Sequence, residues 1–186
     1  MPQPTASKGE MNMQNRTLRQ LTAAGVIAAA YAALSLVLAP ITFGPVQCRI
    51  SEALTLLPVI SPAAIWGVTL GCAVTNGVGA ATGTNFLGLV DLPVGTAATL
   101  LAAVATRLLG KIRFGGLPWL SALPPILFNA VAIGGEWCYA MTGSINGAFW
   151  VFAGQIALGQ LPPCLLGVWL VGLLERRSLQ TIIEGK

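Results

Sequence analysis

The side chains best suited to chemistry are a few acids, amides and one arginine set into apolar sequence. Arg49 and Glu52 stand three residues apart, a spacing that on a helix puts both on one face, close enough to pair. A charge within a membrane segment costs roughly 2.5–3.5 kcal/mol on insertion scales, so it normally faces a partner or a cavity. Two readings stay open for this pair: a structural ion pair that fixes a short helix, or the lining of a polar cavity. Further polar residues fall on the same half of the chain's apolar segments: Asn76, Asn85 and Asp91, then Asn129 and Glu136, then Gln155 and Gln160. A site built from Glu52, Asp91 and Glu136, with Arg49 as the only nearby base, is net acidic. It suits a neutral or cationic ligand rich in hydrogen-bond donors. Trp137, Tyr139, Phe149 and Trp150 surround the last outer loop, as interface anchors or as a surface for a flat ligand.

Other chemistries find little support. The chain has no histidine, and Cys48, Cys72, Cys138 and Cys164 lie far apart without a CxxC spacing, which argues against zinc. No metal or cofactor is expected, and the cysteines are read as free thiols, with a Cys48–Cys138 bridge as the alternative. An intramembrane enzyme with Glu52 or Asp91 as general base would lack any nucleophile motif beside it. No GxxxxGK[ST] loop is present, so ATP hydrolysis is not expected of this chain. Nor is a nucleic-acid partner expected.

The elements that position these residues follow from composition. The chain is 55% hydrophobic and 9% charged, against about 25% charged in soluble domains, so its surface must face lipid. The expected fold class is an all-α integral membrane protein. A crossing needs about 20 apolar residues, and the candidate spans are 18–39, 45–60, 62–78, 92–109, 117–133 and 149–174. The second and third are short and separated only by Ser61-Pro62. Basic residues decide the count, because they are enriched in cytoplasmic loops. Six crossings place Lys8, Arg16, Arg19, Arg107, Lys111, Arg113, Arg176, Arg177 and Lys186 on the cytoplasmic side together, with both termini. Pro162-Pro163 is expected to kink the sixth helix without ending it. Residues 1–16 and 178–186 are expected to be tails around a membrane domain at 17–177. The first apolar run is too long for a signal peptide. Ala28, Ala29, Ala32 and Ala33 make a strip of small residues on which another helix can lie closely, either within this chain or from a partner. Gly67 and Gly71 are expected to pack internally.

The segment Gly44-Pro45-Val46-Gln47-Cys48-Arg49-Ile50-Ser51-Glu52-Ala53-Leu54-Thr55-Leu56-Leu57-Pro58 resembles the signature of the QueT family. Ser61-Pro62-Ala63-Ala64-Ile65, Asp91 through Leu101, and Leu123-Pro124-Pro125-Ile126-Leu127-Phe128-Asn129-Ala130 resemble the same family in the same order. The resemblance implies a six-helix substrate-binding S component of an energy-coupling-factor (ECF) transporter in the bacterial cytoplasmic membrane. It implies a queuosine precursor as ligand, a 7-deazaguanine such as the 7-aminomethyl or 7-cyano form. The implied partners are a transmembrane coupling subunit, docked on the alanine strip, and two cytoplasmic ATPases. The candidate substrate-binding residues are Gln47, Arg49, Glu52, Asn76, Asp91, Asn129, Glu136, Trp137 and Gln160. At Gly159-Gln160 the sequence departs from the family's pattern, where a glutamate is common. An amide cannot hold a cation, so this favours a neutral ligand or moves the charge role to another acid.

Overall fold

Proline and glycine set most of the helix boundaries. The computed structural model describes residues 8–44 and 46–183. Helix α1 spans Lys8–Val37, a single turn α2 spans Ala39–Thr42, and a 3-10 helix η1 spans Ile50–Val59. There follow α3 (Ala63–Ala81), the short η2 (Gly88–Val90), α4 (Asp91–Leu109), η3 (Trp119–Ala122), α5 (Leu123–Thr142) and α6 (Phe149–Ile183). Pro62 caps α3, and Pro124 and Pro125 sit in the first turn of α5, where missing N–H groups cost nothing. Gly143 ends α5 in the left-handed region at φ 74°, the usual glycine stop. Helix α6 passes through Pro162-Pro163 uninterrupted. Among the described residues there is no strand, only a bridge between Phe114 and Leu117.

Among the described residues, four stretches are long and apolar enough to cross a membrane: Met13–Val37, Ala63–Ala81, Gly88–Leu109 and Phe149–Arg177. Helix α5 has the length, at 20 residues, but Asn129, Glu136 and its prolines dilute its apolar character. The span expected at 45–60 is not an α-helix. Val46–Arg49 is irregular, and η1 follows as ten residues of 3-10 helix with Pro58 inside it. The reason is tertiary: η1 packs against α1, α3, α4 and α6 at once, so its surroundings decide its conformation rather than its propensity. Helix also extends into the expected tails, over 8–16 and 178–183; residues 1–7 and 184–186 lie outside the described residues.

Sequential neighbours pack in order, α1 on α3, α3 on α4, α4 on α5 and α5 on α6. A methyl group at Gly67 or Gly71 would run into Ile27 or Tyr31 of α1, so these glycines let α1 and α3 touch, as expected. Ala28 and Ala32 are buried in this packing, whereas Ala29 and Ala33 face outward. Only half of the alanine strip is therefore free to meet a partner. Trp66, Leu70, Leu101, Leu108, Val131, Leu158 and Trp169 all point outward. Polar groups turn inward instead, the reverse of a soluble protein.

Candidate functional site

The buried polar residues gather where η1 meets the C-terminal halves of α1 and α3, the start of α4, and the facing parts of α5 and α6. Arg49 is the centre. It lies in extended conformation just before η1, at φ −91° and ψ 99°, and is 4% exposed. Its Nη2 donates to Asn76 Oδ1 at 3.3 Å and lies 3.9 Å from Asp91 Oδ2. Its Nη1 reaches Cys72 Sγ at 3.6 Å, and the guanidinium stands 5.6 Å from the Phe43 ring centroid, within cation–π range.

Arg49 thus pairs with Asp91, and the expected Arg49–Glu52 ion pair does not form. The spacing rule assumed a helix through both residues, but Arg49 precedes the helix and points elsewhere. Glu52 is instead held by Tyr31, whose hydroxyl donates to Oε1 at 2.6 Å, and Asn129 approaches the same carboxylate. Beside it, Ser35 and Ser51 share a hydrogen bond of 2.5 Å.

Asp91 is fully buried. Asn85 Nδ2 donates to its Oδ2 at 2.8 Å, and Asn76 Nδ2 donates to its main-chain carbonyl at 2.9 Å. Glu136 of α5 is half-buried, and neither of its carboxylate oxygens accepts a hydrogen bond among the described residues. A methyl at Gly95 would strike Asp91 Oδ1 and Asn76 Nδ2, so glycine is needed where α4 passes this network.

On the other flank Gln160 Nε2 donates to the Gln47 carbonyl at 3.4 Å. Gln47 is buried and takes φ 46°. This left-handed conformation costs a non-glycine residue about 1–3 kcal/mol and tends to occur at functional sites. A methyl at Gly159 would collide with the Val46 carbonyl, so the bare glycine lets this loop seat on α6. Trp137 is buried, stacks on Phe86 at 5.1 Å and on Phe152 at 6.5 Å. It is a packed ring, while Tyr139 and Trp150 face outward as interface anchors do.

All nine residues expected to bind ligand belong to this region or its edge. Tyr31, Ser35, Ser51, Thr42 and Cys72 were not anticipated, because hydroxyls and single cysteines are common in apolar helices and carry no signal alone. The four cysteines are free. No cluster able to hold a metal occurs among the described residues.

Several buried polar atoms here have no hydrogen-bond partner among the described residues. The acceptors are Glu52 Oε2, Asp91 Oδ1, both Glu136 oxygens and Gln160 Oε1; the donors are Gln47 Nε2, Arg49 Nε and Trp137 Nε1. Leaving a buried polar group unpaired costs about 1–3 kcal/mol. Structural networks normally satisfy their members, so these open atoms set the region apart from an ordinary polar core. Acceptors exceed donors, which suits a donor-rich molecule.

The sequence matches the family described as the QueT transporter over residues 21–176. Comparison with curated proteins and with solved structures gives no match. The match covers most of the chain, including every residue of the buried polar cluster, and so the chain belongs to the QueT transporter family, a family of membrane transport proteins.

Proposed function

We propose that the protein is the substrate-capturing S component of an ECF uptake transporter in a bacterial cytoplasmic membrane, and that its cargo is a queuosine precursor of the 7-deazaguanine class. The observation that carries this reading is the unpaired set of buried polar atoms around Arg49, Glu52 and Gln160. A guanine-like base presents a ring N–H and an exocyclic amine side by side, which one carboxylate accepts together through charge-assisted bonds. Glu52 suits that role, since Oε2 has no partner and Oε1, which accepts from the Tyr31 hydroxyl, keeps a second lone pair. Gln160 adds an acceptor, and Gln47 and Arg49 offer donors to a ring carbonyl or nitrogen.

Six crossings with both termini cytoplasmic accompany this reading. Ten residues of 3-10 helix at about 2.0 Å rise give roughly 20 Å, and the irregular residues 46–49 before them add to that. Together these approach the hydrocarbon thickness of about 30 Å, so the second crossing is made without an α-helix. Helix α5 turns Asn129 inward and so crosses despite its composition. Arg107, Lys111, Arg113, Arg176 and Arg177 then share the cytoplasmic face, opposite the polar cluster. The coupling subunit docks on the outward Ala29–Ala33 face, and two ATPases bound to it drive release.

Titration calorimetry on the purified protein tests the reading. A 7-deazaguanine is expected to bind without ATP, and Glu52→Gln to weaken it. Well-folded protein that binds no deazapurine would overturn the proposal.

A further inference from the structure

Helix α1 runs on past the helix it packs against. Gly67 and Gly71 seat α3 on it at Ala24, Ile27, Ala28 and Tyr31, but α3 begins at Ala63 while α1 reaches back to Lys8. The earlier turns of α1 project beyond that contact, and every residue from Met13 to Thr22 is exposed. Where the two helices part, a crevice opens in two adjoining halves. One, of about 720 Å³, lies between Asn15, Arg16 and Arg19 of α1 and Ser61 of the turn before α3. The other, of about 280 Å³, follows Leu21 and Ala24 on one side and Pro62 and Trp66 on the other. Gln20 and Ala63 line both halves.

The halves differ in chemistry. Arg16 and Arg19 stand three apart, on one face of α1, and no acidic residue lines either half. Neither arginine has an ion-pair partner among the described residues. Ser61, Asn15 and Gln20 add a hydroxyl and two amides able to donate. The second half carries no charge, and its wall includes the indole of Trp66, 67% exposed, a side chain suited to the membrane interface. A cationic recess joined to an apolar trough is complementary to an anionic phospholipid, with the phosphate at the arginines and an acyl chain along Leu21, Ala24 and Trp66. Basic pockets between membrane helices on the cytoplasmic side hold such headgroups. A choline lipid offers the same phosphate but brings an ammonium that the arginines repel.

We propose that the crevice between the start of α1 and the start of α3 is a binding site for one anionic phospholipid, held by Arg16 and Arg19 at its phosphate and by Trp66 along a chain. The site is separate from the buried polar cluster and does not depend on the cargo; its leaflet follows from the six-crossing arrangement. It is also separate from the face assigned to the coupling subunit. Gln20 and Ala24 each stand nine residues before Ala29 and Ala33, about two and a half helical turns, and so face the opposite way.

Native mass spectrometry of the full chain in detergent, titrated with phosphatidylglycerol and phosphatidylcholine of identical acyl chains, tests the site. Phosphatidylglycerol is expected to bind on the order of tenfold tighter. Arg16→Ala combined with Arg19→Ala is expected to bring the two lipids within about threefold, and both side chains are exposed, so their loss spares the fold. The same loss of charge outside the crevice, Lys111→Ala with Arg176→Ala, is expected to leave the preference intact. Phosphatidylglycerol brominated on its chains is expected to quench tryptophan fluorescence more in the wild type than in Trp66→Phe. Equal affinity of the wild type for the two lipids would overturn the site. So would the two double variants behaving alike, which would make the attraction a property of the whole basic face. Quenching unchanged by Trp66→Phe would place the chain elsewhere and overturn it as well.

Discussion

Arg113 holds Glu175 through two bonds of 2.7 and 2.8 Å, with both side chains about one-third exposed. At the opposite end of the bundle Arg49 meets Asp91 only at 3.9 Å, and both are buried. The first pair joins the α4–α5 connection to the end of α6 with every contact made. The second leaves Arg49 Nε and Asp91 Oδ1 without partners, although burial makes such omissions far more costly. Geometry is thus best where it matters least for stability and worst where it matters most. The proposed function accounts for that inversion, because polar groups that are to meet a ligand must stay available.

The contrast can be broken by mutation at either end. The largest effect is expected for Arg49→Ala, which leaves Asp91, Glu52 and Glu136 with no neighbouring cation. Removing one member of a buried pair costs about 3–5 kcal/mol, and thermal unfolding in detergent should show the loss; an unchanged midpoint would mean that the cluster is not charged as described. Glu52→Gln comes next. Affinity for a 7-deazaguanine should fall by about 1.5–3 kcal/mol, while thermal stability holds or rises because an under-satisfied carboxylate has been removed. A variant that loses stability and keeps affinity would turn Glu52 into a brace.

Gly159→Ala should cost about 1–3 kcal/mol through overpacking, since the new methyl displaces the Val46 carbonyl and with it the loop that carries Gln47. Binding should weaken in the same variant, and calorimetry alongside unfolding separates the two losses. The smallest effect belongs to Arg113→Ala, at about 0.2–1 kcal/mol, fading at high salt as an exposed pair should. The Glu175 carboxylate pushes the Arg113 guanidinium further above its ordinary range. The contribution of this group is complete below that range and would be lost only as pH rose through it, so raising the pH over ordinary buffers should leave the small effect unchanged.

The difference between the two ends was only partly legible beforehand. Arg49, Glu52, Asp91 and Glu136 are conspicuous because charges are rare and costly in apolar sequence, and the structure does bring them together. Their pairing was misjudged. Position three apart implied Arg49 with Glu52, but Arg49 lies outside η1, and a residue forty-two places later in the chain, Asp91, takes it. Tyr31 as the partner of Glu52 carried no signal, since an isolated tyrosine in an apolar helix more often anchors at an interface. The strip Ala28–Ala33 was visible as a pattern, but which alanines face outward depends on where Gly67 and Gly71 admit α1.

Composition and the spacing of apolar runs determined by themselves that this chain is helical and suited to lipid, because only helices and closed barrels satisfy the backbone in a membrane and long apolar runs without alternation belong to helices. They also determined which side chains had to be hidden. What only the tertiary structure decided is how those side chains are shared: η1 adopts 3-10 geometry because four helices surround it, and Arg49 meets Asp91 because η1 packs against α4. Local sequence sets the cost of burying a charge, but which group answers it depends on contacts between distant segments, and no residue spacing encodes those.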